Sequence, residues 1–467
     1  MKLTFYGAAQ QVTGSMHLLT LDNGYNILLD CGMNYEQKRE LNAASFEFPF
    51  NPADIDVVIL SHAHIDHSGN IPKLVADGFR GNILCTPPTY DLVNYLLHDS
   101  ANIQLNEYKQ RLSRATKHRR TLIAPPIYSD KQVDKALEQV VTLPFNKSFV
   151  LNENVHIEFT EAGHLLGAAC TTLTVNENGK TTRIGFTGDL GRSHAELIRV
   201  PLPMKQLDYL ITETTYGGRK HKSSAHAEDE LARYIDESLR IRGRLIIPAF
   251  SVGRTQSILF VIHKLFRKGL LPPVKVFIDS PLAVRSTRVY EKYPELLNSE
   301  AREFLTANGN LFDFDELELI EDYDDHERVL LYTDSCIIIS AAGMVEGGRI
   351  QEHVKNNIQN PFSTILIAGY CAEGTLGYRL LQGQQTIGIK GRDYRVYSKI
   401  AQTDVFSSHP DKDEIFNYIK SCYHPGLKKI FLVHGDGNNL NDMQHMLAEN
   451  GIENAVIPEL YDSYQLT

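Results

Sequence analysis

The sequence predicts an α/β protein in which a second domain, built on parallel strands, is inserted into the first. Between Arg244 and Ala368, apolar strands alternate with helix-forming stretches at the interval typical of βαβ units, which build parallel sheets. Outside this region, Asn-Gly pairs separate neighbouring apolar runs, which favours β-hairpins. The chain has 467 residues, more than one core usually holds, so two or more domains are expected.

Composition narrows the class of protein. Hydrophobic residues make up 42% of the chain and charged residues 22%, as in soluble globular proteins, and no apolar run reaches the length of a membrane span. The chain begins directly as a strand, which predicts no signal peptide. Six scattered cysteines without a Cys-x-x-Cys pair are typical of reduced thiols. We therefore expect a cytoplasmic protein without a membrane partner. The net charge of −10 argues against a basic surface throughout, although local patches can still bind nucleic acid.

The first part of the chain alternates short strands and helices. Its predicted elements are strands at 2–6, 16–21, 25–29, 57–60 and 83–85 and helices at 70–76 and 89–120. Asn23-Gly24 joins the second and third strands as a hairpin, and Asn178-Gly179 joins strands at 168–175 and 182–186 in the same way. The basic end of the long helix, from Lys109 to Arg120, usually indicates a solvated face; contact with a polyanion is the alternative.

The later part first leaves this domain and then returns to it. Predicted elements are strands at 155–160, 207–212, 244–248, 274–278, 336–340, 364–368 and 429–433, and helices at 226–240, 254–266, 411–422 and 438–449. Residues 311–328 are notably acidic, and we expect them to form a solvated excursion.

A polar loop follows the apolar strand Val57–Leu60. Within six residues it carries three imidazoles and a carboxylate: His62, His64, Asp66 and His67. Loops at the carboxyl ends of strands are where α/β proteins place their chemistry. Neutral imidazole and carboxylate are ligands of borderline cations such as zinc. Adjacent side chains diverge, so the spacing predicts two metals side by side; a polar surface loop without function is the alternative.

This loop carries a resemblance to a known fold. His62-Ala-His-Ile-Asp-His67 resembles the signature motif of the metallo-β-lactamase fold, an αββα sandwich. The pattern of that fold also has a histidine alone after one strand and an aspartate in a Thr-Gly-Asp turn after another; His164 and Asp189 stand at these places in order. By itself each would more often be structural. The resemblance further implies that Asp30, after the third strand, orients a metal ligand from behind.

Three further motifs narrow the resemblance to the β-CASP family, the branch of this fold that acts on nucleic acids. They are Glu213 in Thr-Glu-Thr-Thr-Tyr-Gly, His409 in Phe-Ser-Ser-His and His434 in Leu-Val-His-Gly. The resemblance covers nearly the whole chain and is nearest to bacterial and archaeal relatives of the endonuclease that cleaves messenger-RNA precursors before polyadenylation. It implies a metallo-β-lactamase domain at 1–214 and 396–467, with an inserted β-CASP domain at 215–395 built from βαβ units.

The resemblance also implies how the site works. His62, His64 and His164 would hold one metal, Asp66, His67 and His434 the other, and Asp189 would bridge both. Two Zn²⁺ ions are expected, with manganese or iron as alternatives. Asp66 would receive the proton of the attacking water, and His409 would be the general acid for the leaving ribose oxygen, kept charged by Glu213. The products would be a 5′-phosphate and a 3′-hydroxyl.

RNA is the expected substrate because, in this family, a histidine at the motif of His434 marks members that process RNA. We expect a single-stranded substrate, mainly endonucleolytic cleavage with 5′-3′ exonucleolytic trimming as an additional mode, and allow for a homodimer. Glycine-rich turns that open helices in the inserted domain, each with an arginine, suit a phosphate. The predicted substrate-binding residues are Arg254, Gly343, Met344, Gly348 and Arg349. Tight packing plus surface arginines is the alternative.

Two other functions compete with a ribonuclease. A small-molecule hydrolase of the same fold would act on thioesters or lactones; the inserted domain and the three β-CASP motifs argue against it. A catalytically silent scaffold would have lost ligands, whereas all seven expected ligand positions are filled here.

Overall fold

The chain is described from a computed structural model that covers residues 1–34, 46–117, 124–221 and 227–467. It forms two compact units. The first comprises Met1–Ser193, Val200–Lys220 and His409–Thr467, and the second comprises His194–Arg199 and His221–Ser408. The domain limits expected from the sequence, at 214/215 and 395/396, lie somewhat earlier in the chain and stay predictions. Residues 118–120 of the basic run lie outside the described residues.

The strands and helices are numbered along the chain. The strands are β1 (Lys2–Phe5), β2 (His17–Thr20), β3 (Asn26–Leu29), β4 (Val57–Ile59), β5 (Asn82–Cys85), β6 (Val140–Thr142), β7 (Ser148–Asn152), β8 (Val155–Glu161), β9 (Ala169–Glu177), β10 (Lys180–Phe186), β11 (Tyr209–Glu213), β12 (Arg244–Pro248), β13 (Lys275–Asp279), β14 (Leu317–Ile320), β15 (Cys336–Ser340), β16 (Thr364–Ala368), β17 (Thr386–Ile389), β18 (Arg392–Arg395), β19 (Lys399–Thr403), β20 (Lys429–Val433), β21 (Ala455–Val456) and β22 (Ser463–Gln465). The helices are α1 (Ile65–Ser68), α2 (Ile71–Ala76), α3 (Pro87–Lys117), α4 (Asp130–Leu137), α5 (Ala227–Arg240), α6 (Arg254–Arg267), α7 (Pro281–Lys292), α8 (Ser299–Asn308), α9 (Tyr323–Leu331), α10 (Ile350–Asn357), α11 (Leu376–Leu381), α12 (Lys412–Cys422) and α13 (Gly437–Glu449), with 3-10 turns at Pro52–Asp54 and Pro294–Leu296.

The first unit is a sandwich of two seven-stranded sheets, in the orders β22-β1-β2-β3-β4-β5-β6 and β21-β20-β11-β10-β9-β8-β7. Apolar residues from both sheets share one core, for example Phe5 and Ile27 from the first and Phe159, Ile184 and Phe431 from the second. The αββα architecture expected from the sequence is therefore present. It brings the carboxyl ends of several strands to one edge of the sandwich, where the polar loops follow.

Both predicted hairpins are confirmed. Strand β2 pairs with β3 and β9 pairs with β10, each antiparallel. Asn178 and Gly179 in the second turn have φ values of 50° and 73°, the left-handed region that asparagine and glycine tolerate best.

The second unit contains a six-stranded sheet in the order β14-β13-β15-β12-β16-β19. All of its strand pairs are parallel, as the βαβ pattern predicts. The expectation of a solvated excursion at 311–328 is wrong. This stretch supplies the edge strand β14, whose Ile320 is buried, and the start of α9, whose His326 and Val329 are buried. Apolar residues within the acidic stretch, above all Ile320, are enough to pack an edge strand against β13.

Within the described ranges, no helix is both long enough and apolar enough to cross a membrane.

Candidate metal centre

Nine side chains singled out from the sequence converge at one edge of the first unit. His62 follows β4, and His64 precedes the one-turn helix α1 that carries Asp66 and His67. The other five come after or at the end of strands β8, β10, β11 and β20, and from the loop before α12: His164, Asp189, Glu213, His434 and His409. Residues distant in sequence thus meet because their strands end at the same edge of the sandwich.

Two glycines, Gly32 and Gly188, allow close approach between the loops that carry the candidate ligands. A side chain at Gly32 would meet the backbone oxygen of Asp66 at 1.6 Å, and one at Gly188 would meet the Cβ of Ser61 at 2.5 Å. Any other residue would therefore push the loops of Asp66 or Asp189 away from the site.

The first group of candidate ligands is His62, His64, His164 and Asp189. His64 Nδ1 lies 3.1 Å from His62 Nε2 and 3.2 Å from His164 Nε2. Oδ2 of Asp189 lies 3.6 Å from the Nε2 atoms of His62 and His164. Two ligands of one zinc ion stand about 3.3 Å apart, since each lies about 2.0 Å from the ion in tetrahedral geometry. The spacing in this group therefore suits a single cation.

The second group is Asp66, His67 and His434, and Asp189 reaches it with its other oxygen. His67 Nε2 lies 3.1 Å from His434 Nε2 and 3.1 Å from Asp189 Oδ1. His434 Nε2 lies 3.5 Å from Asp189 Oδ1 and 3.6 Å from Asp66 Oδ2. One carboxylate thus presents one oxygen to each group, as a bridging ligand would.

The outer nitrogen of each of four imidazoles has a polar neighbour away from the cluster. His67 Nδ1 donates to Asp30 at 2.6 Å, and His164 Nδ1 donates to the carbonyl of Leu190 at 3.3 Å. The hydroxyls of Ser61 and Thr215 lie 3.1 Å from Nδ1 of His62 and His434, respectively. With the proton on the outer nitrogen, each inner nitrogen offers its lone pair to the cluster. Facing lone pairs repel unless a cation or proton lies between them, so these residues fit a bound metal.

Electrostatics agree with this assignment. Burial lowers the pKa of His62 and His164 well below the ordinary value, which keeps these rings in the neutral form that binds metals. Burial acts in the same direction on His67, but the charges of Asp189 and Asp30 outweigh it and raise the pKa of His67 well above its usual range. The carboxylates therefore favour positive charge at this position.

Asp30 lies behind His67, where the sequence prediction placed an orienting residue. Its side chain is completely buried. Besides His67, its carboxylate accepts hydrogen bonds from the backbone N–H of Ser61 at 2.8 Å, from the Ser61 hydroxyl at 2.9 Å and from the Ser15 hydroxyl at 3.2 Å. Its geometry suits the role of fixing both the tautomer and the orientation of His67.

Asp30→Asn is expected to lower the metal affinity of the second group by about 10- to 100-fold, because an amide of the same shape holds the His67 N–H less strongly. Titration against a chromophoric chelator measures this loss. Asp77→Asn is the matched control, since Asp77 pairs with Lys73 at the surface. Unchanged affinity in Asp30→Asn would contradict the orienting role.

His409 and Glu213 form a pair beside the candidate ligands. His409 Nδ1 lies 3.2 Å from both oxygens of Glu213, and its Nε2 lies 4.0 Å from Asp189 Oδ2. Burial by itself would lower the pKa of His409, but the charge of Glu213 and the hydrogen bonds to it outweigh burial and raise the pKa to about 9. Glu213 is buried and also accepts from the backbone N–H of Leu190 at 2.5 Å. The imidazole is thus held protonated, with its Nε2–H towards the candidate metal ligand Asp189.

Sequence reasoning missed the residues that orient the ligands, namely Ser15, Ser61, Thr215 and the carbonyl of Leu190. Ser61 directly precedes His62, and Thr215 lies within the motif of Glu213; this proximity is the signal that the sequence offers. Hydroxyl residues are so common in loops that this adjacency alone would not have identified them.

The predicted substrate-binding residues all lie in the second unit, and both arginines already have internal partners there. Arg349 donates to Asp279 Oδ1 at 2.8 Å and to the carbonyl of Glu321 at 2.7 Å. Arg254 is buried, donates to the carbonyl of Phe406 at 3.3 Å and lies over the ring of Phe250. These contacts favour structural roles for both arginines, and binding of a phosphate by them stays a prediction.

The neighbouring predicted residues have packing roles as well. A side chain at Gly348 would meet the carbonyl oxygen of Ala341 at 2.3 Å, and one at Gly343 would meet the backbone nitrogen of Phe250 at 3.1 Å. The carbonyl of Met344 accepts from the N–H of Gly377 at 3.0 Å. These distances favour close backbone packing, the alternative interpretation of these turns, and binding of a phosphate there stays a prediction.

The partner of Arg349 belongs to a buried cluster that could be mistaken for another metal site. Asp279 Oδ2 lies 2.5 Å from both His326 Nδ1 and His353 Nε2. These distances are too short for two ligands of one ion, which lie about 3.3 Å apart, and are those of charge-assisted hydrogen bonds. The cluster thus ties β13, α9 and α10 together.

Arg349→Ala is expected to destabilise the second unit by about 3 kcal/mol, because it removes a cation from a buried carboxylate. Chemical denaturation followed by a probe in this unit measures the change. Arg395→Ala is the control, since Arg395 is exposed on β18. If Arg349→Ala keeps its full stability but binds RNA more weakly, Arg349 binds the substrate instead.

The fold and this constellation define a metallohydrolase-type protein of the metallo-β-lactamase fold with a divalent-metal centre. The model of the metallo-beta-lactamase superfamily matches residues 10–87, that of the Beta-Casp domain residues 255–380, and that of the Zn-dependent metallo-hydrolase RNA specificity domain residues 393–458. The chain belongs to the β-CASP family.

Three similar proteins align with nearly all of the chain. It is 28% identical over 453 residues to a ribonuclease of Thermus thermophilus, and this alignment covers 97% of both chains. It is 31% identical over 438 residues to an RNase J-like protein of Methanocaldococcus jannaschii, covering 93% of this chain and 92% of that one. It is 30% identical over 455 residues to the transcription termination factor FttA of Methanothermobacter thermautotrophicus, covering 95% of this chain and 68% of the relative.

Proposed function

We propose that this protein is a metal-dependent ribonuclease that hydrolyses RNA phosphodiester bonds. The observation that carries the proposal is Asp189, whose two oxygens each face a separate group of candidate ligands. The named ribonuclease among its relatives supports RNA as the substrate class.

Two cations are proposed for the centre. His62, His64 and His164 would hold one, Asp66, His67 and His434 the other, with Asp189 shared. A shell rich in imidazole favours zinc over manganese or iron. Bound there, the cations would lower the pKa of the attacking water and stabilise the negative charge of the phosphodiester transition state.

The protein's own residues would transfer the protons. The hydrogen bond to His434 and nearby imidazoles outweigh the effect of burial and lower the pKa of Asp66 to about 2, so Asp66 is ionised and can accept a proton. His409, held protonated by Glu213, would donate its Nε2 proton to the leaving 3′-oxygen. The products would be a 5′-phosphate and a 3′-hydroxyl.

The finer features of the proposal come from the family resemblance. We propose a single-stranded substrate, mainly endonucleolytic cleavage and a cytoplasmic location. A homodimer would be compatible with this activity, because every proposed ligand comes from one chain.

The test is cleavage of an end-labelled single-stranded RNA by the metal-loaded protein, with and without a chelator, followed by mapping of both product ends. We expect chelator-sensitive cuts inside the strand that leave 5′-phosphates and 3′-hydroxyls. A thioester and a lactone are assayed beside it. Fast hydrolysis of either small molecule together with intact RNA would overturn the proposal in favour of a small-molecule hydrolase.

A further inference from the structure

A cavity of about 440 Å³ lies in the first unit beside helix α13. We call it the amide cavity, because three of its lining residues, Gln10, Asn441 and Gln444, carry side-chain amides. Gly437 at the start of α13 and the ring of Tyr464 on β22 also line it. Its volume falls in the range of small-molecule sites.

The lining chemistry indicates what the cavity can bind. No charged side chain belongs to the lining among the residues that the structure covers. The nearby cation is Lys429, whose Nζ lies over the ring of Tyr464, 5.1 Å from the ring centre. Each amide offers donors and an acceptor side by side, the pattern that pairs with the edge of a nucleobase. The amide nitrogen of Gln444 donates to the carbonyl of Ala455 at 2.9 Å, which fixes the amide and leaves its oxygen as an acceptor.

Tyr464 adds an aromatic ring, over which the Lys429 ammonium also lies. Its hydroxyl donates to Asp462 at 3.3 Å, and its ring packs edge-on to Phe431 with the ring centres 5.0 Å apart. The ring is thereby held in place at the wall of the cavity. Unpaired bases are commonly recognised by an aromatic surface together with hydrogen bonds to their edges.

A backbone hydrogen bond lies close in sequence both to the lining of the amide cavity and to a candidate metal ligand. The backbone N–H of His434 donates to the carbonyl of Ala8 at 2.7 Å. Gln10 follows Ala8 by two positions and Gly437 follows His434 by three. Three residues span at most about 11 Å, so one wall of the cavity begins close to a candidate metal ligand.

Two further observations point to substrate recognition. Gly437, Asn441 and Gln444 lie within residues 393–458, which match the model described as an RNA specificity domain. Ala8 and Gln10 have φ values of 47° and 55°, although neither is a glycine. Strained backbone of this kind persists where the surroundings or the function require it.

We propose that the amide cavity binds one unpaired base of the RNA near the bond that is cut, and so gives cleavage a base preference. This inference rests on the proposed ribonuclease function. Adenine is the best match, because asparagine and glutamine pair with its N6 and N7 atoms in a two-bonded arrangement.

The first experiment maps cleavage of a random-sequence single-stranded RNA pool by sequencing the product ends. The wild type is expected to show a base bias at one position a fixed distance from the cut. Gln10→Met with Asn441→Leu removes two amides at similar size and should flatten this bias by about fivefold for each lost hydrogen bond. Asn438→Leu is the matched control, an exposed amide on the same helix that does not line the cavity.

A binding experiment separates failure of the cavity from failure of the function. Short RNAs that carry an abasic residue at each position in turn are bound to the His409→Ala protein, which should cut them about 10²- to 10⁴-fold more slowly than the wild type. At one position, the abasic residue should lower RNA affinity when the amide cavity is intact. The same RNA should lose no affinity when the protein also carries the two cavity substitutions. If RNA is cut and bound but no position shows this loss of affinity, the cavity proposal alone is overturned. If RNA is neither cut nor bound, the cavity proposal and the proposed ribonuclease function are both overturned.

A free nucleoside is the other source of the same chemistry. Binding of adenosine is therefore followed by saturation-transfer NMR in the wild type and the double variant. If the double substitution abolishes adenosine binding but leaves the cleavage pattern unchanged, the cavity serves a free nucleoside and the proposal is wrong.

Discussion

Asp189→Ala is expected to lower RNA cleavage by about 10³-fold or more and to reduce the metal content of the purified protein. The reason is geometric: Oδ2 lies 3.6 Å from His62 Nε2 and Oδ1 lies 3.1 Å from His67 Nε2, so one truncation removes a ligand from both groups. Metal content after dialysis, measured by inductively coupled plasma mass spectrometry, and single-turnover cleavage together test this expectation.

The control for this variant is Asp134→Ala, a carboxylate with 61% of its side chain exposed, in the same unit. It should keep both metals and full activity. The melting temperature of metal-free Asp189→Ala is compared with that of the metal-free wild type to exclude loss of folding. A folded Asp189→Ala protein that retains two metals would refute the shared-ligand assignment.

His409→Ala is expected to retain its metals and yet lose about 10²- to 10⁴-fold in cleavage rate, the usual contribution of a positioned acid. The imidazole hydrogen-bonds to Glu213 and lies 4.0 Å from the nearest Asp189 oxygen, outside the ligand groups. Removing it should therefore affect proton donation and leave metal binding unchanged.

A sulfur substitution distinguishes proton donation from a structural role. When the bridging 3′-oxygen of the RNA is replaced by sulfur, the leaving group departs as a thiolate and needs no acid. The defect of His409→Ala should then shrink to a small factor. An equal defect with oxygen and sulfur would show that His409 does not act as the acid. His445→Ala, an exposed histidine on α13, is the control for loss of an imidazole.

Much of the candidate site could be predicted because its residues follow strand ends in dense motifs. The six residues from His62 to His67 combine three imidazoles with a carboxylate, and βαβ periodicity marks the inserted unit. What escaped prediction depends on contacts between distant segments. Nothing near Arg349 in the sequence shows that Asp279 is its partner, and the acidic character of 311–328 concealed the edge strand β14.

The position of β20 has a consequence for protein synthesis. This strand lies inside its sheet, between β11 and β21, and the loop that follows it supplies His434. A ribosome therefore makes the whole second unit before it makes His434, the last of the candidate ligands. A nascent chain that has folded its first strands still lacks one of the seven candidate ligands, so we expect the metal centre to be completed only after the inserted unit has been made.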